Sequence, residues 1–214
     1  MKLLRHEAED GPSVLLFGLG LIGGAVDRAL RLRCGAGAMH FPYDWRDGPL
    51  RVAQRQAILA AGGRVGTPEE HEWGPTLDAT DALGTDFAVF QPTPDIPRPE
   101  LNGAGPGELS YMTYYVTESA AFRNFYGAVL GWTFEPGRID DGWGVQNCHP
   151  MAGAAGGAEH SVAVPMWTVT DIVAAVARVL EAGGSVIEAP SRQPYGMMAH
   201  CADDQGARFY LGAF

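Results

Sequence analysis

The chain has no run of about 18 apolar residues, the length that a membrane-crossing helix needs, so no segment reads as a bilayer span. Its opening, MKLLRHEAEDGPS, turns acidic after a few residues and lacks the apolar centre of a signal peptide. Cysteine is scarce: Cys34, Cys148 and Cys201 are an odd number without CxxC spacing, which argues against a cysteine-held zinc and against a disulfide framework. Isolated thiols suit a reduced, cytoplasmic protein. Cationic residues are outnumbered, 15 against 25 acids, and the net charge of −10 leaves no basic footprint for nucleic acid or an anionic membrane surface. What remains is an ordinary globular composition, 46% hydrophobic and 19% charged, over 214 residues, enough for one large domain or two small ones.

Self-similarity organises the sequence. TYYVTESAAFRNFYGAVLGWTFEPG at 113–137 aligns without a gap on MWTVTDIVAAVARVLEAGGSVIEAP at 166–190. Val116 meets Val169, Thr117 meets Thr170, Glu118 meets Asp171, Gly131 meets Gly184 and Glu135 meets Glu188. Each copy reads as a strand, a threonine and an acid to start a helix, an amphipathic helix closed by glycine, and a further β-rich run. A weaker third copy comes earlier. AILAAGGRV at 57–65 resembles RVLEAGGSV at 178–186, and ATDALGTDFAVF at 79–90 resembles CADDQGARFYLG at 201–212. In the latter pair Asp81 matches Asp203, Gly84 matches Gly206 and Phe87 matches Phe209, both framing a D-x-x-G hairpin turn. The repeat unit is therefore strand, helix and about three strands, an α+β pattern.

This unit, with FYGAVLGW, VPMWTVTDIVAAVARVLEAGG and PYGMMAHCADDQGARFYL, resembles the vicinal-oxygen-chelate (glyoxalase/bleomycin-resistance/extradiol dioxygenase) superfamily, nearest the two-domain glyoxalase-like proteins of high-GC bacteria. The resemblance is strong over 108–214 and weaker over 51–92. It implies that units 108–158 and 160–214 pair into a half-open barrel around a cavity. It leaves 38–92 as a single or partial unit, joined through a Pro/Gly-rich linker at 93–107. An unpartnered unit would expose a sheet edge and an apolar face, so it is expected to dock on the N-terminal segment or on a second chain, and a homodimer is expected.

The superfamily's chemistry uses a divalent metal held by His, Gln or Glu early in each unit and by Glu on its last strand. By the resemblance those positions fall at Tyr111, Val164 and Tyr210, and at Ala88 in the early unit, none an ordinary ligand. No metal and no other cofactor is therefore expected for the complete domain. Strand alternation predicts a cavity lined by Tyr111, Thr113, Tyr115, Val164, Met166, Thr168, Arg208 and Tyr210, with Met112, Tyr114 and Val116 under the helices; Trp143 on a middle strand is placed to stack on a ligand. His149, His160 and His200 also lie in this domain. His200, before the DDQG turn, counts among the cavity residues; it either joins Arg208, Glu159 or Asp203 in acid–base chemistry or is a structural or surface histidine.

At the N-terminus, SVLLFGLGLIGGAVDRALRLR carries Gly18, Gly20 and Gly23 between a strand and a helix, and Asp44 follows at the distance of a ribose-binding acid. Residues 1–37 thus resemble the βα opening of a Rossmann-type fold. The same glycines equally make a tight strand-to-helix connection without a nucleotide, and the chain is too short before residue 51 for a half Rossmann domain. Two classes of function follow. One is a metal-free module that binds or sequesters a small hydrophobic or aromatic molecule. The other is an enzyme, either a divergent glyoxalase-like lyase or isomerase or an NAD(P)-binding oxidoreductase.

Overall fold

A computed structural model describes residues 13–15, 50–69, 71, 75–90 and 103–214. Gly18, Gly20, Gly23 and Asp44 lie outside these, with most of the linker segment. Among the described residues no helix is long and apolar enough to cross a membrane. The chain folds as two compact units, one of Met1–Glu100 with Tyr114–Ala163, the other of Leu101–Thr113 with Val164–Phe214.

The first unit begins with β1 (Ser13–Leu15), α1 (Leu50–Ala60), β2 (Arg64–Val65), β3 (Thr76–Thr80) and β4 (Asp86–Phe90). The strands form an antiparallel sheet ordered β1-β4-β3-β2. β5 (Leu109–Tyr115) runs from the second unit into this one. After it come α2 (Ser119–Leu130) and an antiparallel meander of β6 (Thr133–Pro136), β7 (Gly142–Gln146) and β8 (Met151–Ala155). The spacing of Phe122, Phe125, Tyr126, Val129 and Leu130 explains the helix's role: these i, i+3, i+4, i+7, i+8 positions are all buried. Phe122 packs on Tyr114, Trp132 and Phe134. Phe125 and Tyr126 meet Phe87 of β4, each at 5.7 Å, and Tyr126 also packs on Phe122 and stacks on Trp132. One helix therefore serves the sheets of two copies.

That arrangement answers how the early copy is covered. β1 pairs antiparallel with β4. The early copy's apolar face is covered within the same chain, with Phe87 against Phe125 and Tyr126 and Gln54 Nε2 donating to Val129 O at 2.9 Å. Asp81 completes the seat: Oδ1 accepts from the N–H groups of Leu83 and Thr85, both 2.8 Å, and Oδ2 accepts from Tyr126 Oη at 3.0 Å. Burial pushes the Asp81 carboxyl upward against these hydrogen bonds, and it pushes the Tyr126 phenol well up.

In the second unit β9 (Val162–Thr168, shared at its start with the first unit), α3 (Ile172–Glu181), β10 (Ser185–Gln193), β11 (Gly196–Ala202) and β12 (Arg208–Ala213) complete the repeat. The strand order is β10-β11-β12-β9, with β12 and β9 parallel. α3 starts at Asp171, whose side chain accepts from Ala174 N at 3.0 Å. Glu118 holds the same place before α2 without a side-chain cap bond. The glycine pairing needs correction. Gly131 is the left-handed residue after α2 (φ 69°), but after α3 that residue is Gly183 (φ 86°). Gly184 is needed for closeness instead: a Cβ there would lie 2.6 Å from Ala202 O.

α3 covers one face of its sheet, where Ile172, Ala175, Ala199, Cys201 and Leu211 form the core with Trp167, Val176 and Phe209. The tail of the Pro/Gly stretch is folded rather than free. Gly103 O accepts from the Thr168 hydroxyl, and Gly107 N donates to Thr168 O at 2.8 Å.

In the first unit, Tyr126→Phe is expected to cost about 1–3 kcal/mol, because it leaves a buried carboxylate oxygen without its donor. Urea unfolding of the variant checks this, and an unchanged midpoint would contradict the role given to the Tyr126–Asp81 bond.

Candidate functional site

The face of the second sheet away from α3 is defined by register. Glu188 on β10 lies opposite His200 on β11, His200 opposite Tyr210 on β12, and Tyr210 opposite Met166 on β9. Cross-strand partners share a face, so these four side chains form one row. A second row runs through Ser191, Met198, Gly212 and Thr168. Gly212 keeps the rows close, since a Cβ there would sit 3.0 Å from Met166 Sδ. Arg208 stands two residues before Tyr210, on the same face.

His200 is the chemical centre of this face. It is 6% exposed, and its ring lies 4.4 Å from that of Tyr210, inclined by 33°. Nε2 is buried and has no hydrogen-bond partner among the described residues. Burial holds the imidazole below its ordinary pKa, with Arg208 acting in the same direction and Glu188 opposing. The ring is therefore neutral at neutral pH, and its open nitrogen can accept from a hydroxyl or donate to an oxygen, depending on tautomer.

The sequence-predicted residues divide between the units. Met166, Thr168, His200, Arg208 and Tyr210 stand together on this face, and Val164 lies beside them fully buried. The Thr168 hydroxyl is already engaged by Gly103 O. Tyr111 and Thr113 are half-buried on β5, alternating with buried Met112 and Tyr114 as the pattern predicted. Tyr115 and Trp143 belong to the first unit. There the Arg123 guanidinium covers the Trp143 ring at 3.6 Å, and Trp143 Nε1 donates to Asp141 Oδ1 at 3.0 Å. Ser119 Oγ bonds the same oxygen at 2.5 Å, and these two bonds hold the Asp141 carboxyl below its usual range. Trp143 is thus tied into its own unit. His160 is exposed, 3.7 Å from Glu159.

Glu188 was missed, and a bulge is the reason. Val186 pairs with Cys201 and Glu188 with His200, so two steps on β10 match one on β11. Strict alternation would keep Glu188 on the side of Val186, under α3; the bulge turns it to the side of His200. The available signal was the alignment of Glu135 with Glu188, which marks the position but not its face.

The positions that the resemblance assigned to a metal are occupied as the sequence reads. Val164 and Ala88 offer no donor atom and are buried, and the Tyr210 ring packs against His200. Among the described residues, no three His, Cys, Asp or Glu side chains converge. Cys201 points into the core beneath α3, where burial pushes its thiol up.

Residues 108–211 match the family model of the Glyoxalase/Bleomycin resistance protein/Dioxygenase superfamily. Among solved structures the chain is similar to the 2,3-dioxygenase LapB from Pseudomonas sp. KL28, at 15% identity and a TM-score of 0.56, over 78% of this chain and 68% of that one. It is also similar to the Mn(II)-bound glyoxalase from Novosphingobium aromaticivorans, at 15% identity and 0.57, over 76% and 58%. A third likeness is to BphC, a halotolerant catechol dioxygenase, at 18% identity and 0.52, over 76% and 63%. The chain thus spans only about six tenths of the length of the last two. At these identities the likeness establishes the fold. No curated protein sequence matches the chain.

Because the folded state holds His200 neutral, its contribution to stability is full above the ordinary imidazole pKa of about 6.5 and is lost as pH falls through that value toward the lower folded one. His200→Phe is expected to flatten this part of the stability curve. Thermal unfolding of both proteins across that range measures it, and equal slopes would contradict the assignment.

Proposed function

We propose that the His200–Tyr210 face binds a small planar aromatic molecule carrying a hydroxyl or carbonyl oxygen, without a metal ion. The observation that carries this is His200 Nε2, buried beside an aromatic ring and left without a partner among the described residues. An unsatisfied buried polar atom costs about 1–3 kcal/mol, and a ligand oxygen would relieve it. The Tyr210 ring and the Met166 and Met198 side chains supply an apolar, polarisable wall for a flat ring. Arg208 and Glu188 give the site one charge of each sign at its margin, fitting an oxygen-substituted ring better than a hydrocarbon. The catechol and 2,3-dioxygenases among the similar structures support a hydroxylated aromatic as the first class to test.

A second reading is an enzyme of this fold in which His200 also moves a proton. Its support is the neutral imidazole with Glu188 across the ladder, a pairing that can accept a proton from a bound hydroxyl. A lyase or isomerase of this kind would turn over in the presence of a chelator, whereas a metal-dependent one would stop.

Catechol is the first probe. Intrinsic fluorescence is expected to respond saturably in the unaltered protein, and His200→Phe to weaken the affinity about tenfold, a difference of about 1.4 kcal/mol. Equal affinity in the variant, or no response to catechol, phenol and benzoate alike, would remove the proposal.

A further inference from the structure

The D-x-x-G turn is built twice, with the same bonds. Asp203 Oδ1 accepts from Gln205 N at 2.9 Å and Ala207 N at 2.8 Å, as Asp81 Oδ1 does from Leu83 and Thr85. Gly84 and Gly206 have φ of 85° and 87°, and Gly62 and Gly183, after the helices, 90° and 86°. Gly63 and Gly184 follow, each too close to a backbone oxygen to carry a Cβ: 2.7 Å from Thr80 O and 2.6 Å from Ala202 O. Ile58, Asp81 and Phe87 therefore correspond to Val179, Asp203 and Phe209.

The two copies differ in what lies between helix and turn. In the first, Phe125 and Tyr126 of α2 fill the space. Phe125 sits so close to Gly63 that an added Cβ would be 2.8 Å from its ring, and Tyr126 donates to Asp81 Oδ2. Ile58, Asp81 and Phe87 are consequently buried. In the second, the same positions line an open groove of ≈330 Å³, formed by Ala175, Val179, Gly184, Asp203, Phe209 and Leu211. Asp203 is exposed, and its Oδ2 has no partner among the described residues. The lips differ as well. Arg178 and Asp204 stand where the first copy has Ala57 and Ala82. On the same helix, Val173 and Leu180 are exposed.

We propose that this groove, on the opposite face of the sheet from His200, docks a helix of a partner protein that presents an aromatic side chain followed by a tyrosine. The tyrosine hydroxyl donates to Asp203 Oδ2, and its ring lies against Phe209 as Tyr126 lies against Phe87. Charge complementarity refines the partner. An acidic side chain on the docking helix faces Arg178 and a basic one faces Asp204, two interactions the alanines of the first copy cannot make. The chain's own Phe125–Tyr126 pair is already buried in the first unit, so the occupant is a different protein rather than a second copy. The open groove and its exposed flank suit a helix better than an enclosed small molecule.

The test is an NMR titration of the full chain with an acetylated, amidated peptide of residues 119–130, SAAFRNFYGAVL, which carries the pair known to fit the equivalent seat. Amide shifts are expected around 175–184 and 203–211. Affinity is expected to fall about tenfold in the Asp203→Asn protein, whose amide oxygen can keep the turn but presents a donor to the phenol. The peptide with phenylalanine in place of Tyr126 should lose a similar factor. No shifts, shifts confined to 57–63 and 81–89, or equal affinity in Asp203→Asn would each overturn the proposal. So would p-cresol binding as tightly as the peptide, which would make the groove a small-phenol site.

Discussion

A β-sheet with one helix on it has a second face, and an α-helix laid on a sheet has flanks; neither surface is covered by the unit that creates it. This constraint shapes every copy of the strand–helix–strands repeat in the chain. In the first unit α2 satisfies it twice over, burying Phe122 against its own strands while Phe125 and Tyr126 fill the flank of the preceding copy. Burying such rings contributes about 1.5–3 kcal/mol each, so the early copy, short as it is, gains a core it could not form alone. The phenol's bond to Asp81 makes that packing specific, since a misplaced ring would strand a carboxylate in the interior.

The second unit meets the same constraint differently. α3 covers one face, and the other brings His200, Tyr210, Met166 and Thr168 together. Thr168 spends its hydroxyl on Gly103, which ties down the end of the Pro/Gly stretch. Among the described residues His200 Nε2 has no such outlet. Two polar residues on one face thus differ, Thr168 being satisfied by the backbone and His200 Nε2 being unsatisfied among the described residues.

Much of this was legible in the residues. The Asp–Gly spacing of the turns predicted their geometry, because an aspartate that caps two N–H groups and a glycine at positive φ leave the backbone few alternatives. The alternation on β9 and β12 placed Met166, Thr168, Arg208 and Tyr210 on one face for the same kind of reason. Glu188 escaped because a bulge changes the parity of a strand without leaving a mark in its composition. The covering of the early copy also escaped. Period and spacing show that α2 has two apolar stripes' worth of aromatics, but not that the second stripe belongs to a sheet some forty residues away, as the 45-residue separation of Asp81 and Tyr126 shows. Long-range pairing of this sort depends on shape, which the local pattern does not encode.

The comparison of Asp81 with Asp203 carries the reasoning one step further. Identical turns in one chain act as an internal control: the backbone bonds are matched, so any difference in burial arises from what surrounds them. Asp81 is desolvated, with its carboxyl pushed upward, and needs Tyr126 to be tolerable there. Asp203 makes the same turn in water, where the second oxygen costs nothing to leave open. The turn itself therefore does not require a phenol. Arg178 and Asp204 stand at the lips of the groove beside Asp203 in place of two alanines, and a helix entering it would have to answer them with charges of its own. The same turn is thus covered by the chain's own helix in one copy and flanked by an open groove in the other, with a charge of each sign at the lips to restrict what could close it.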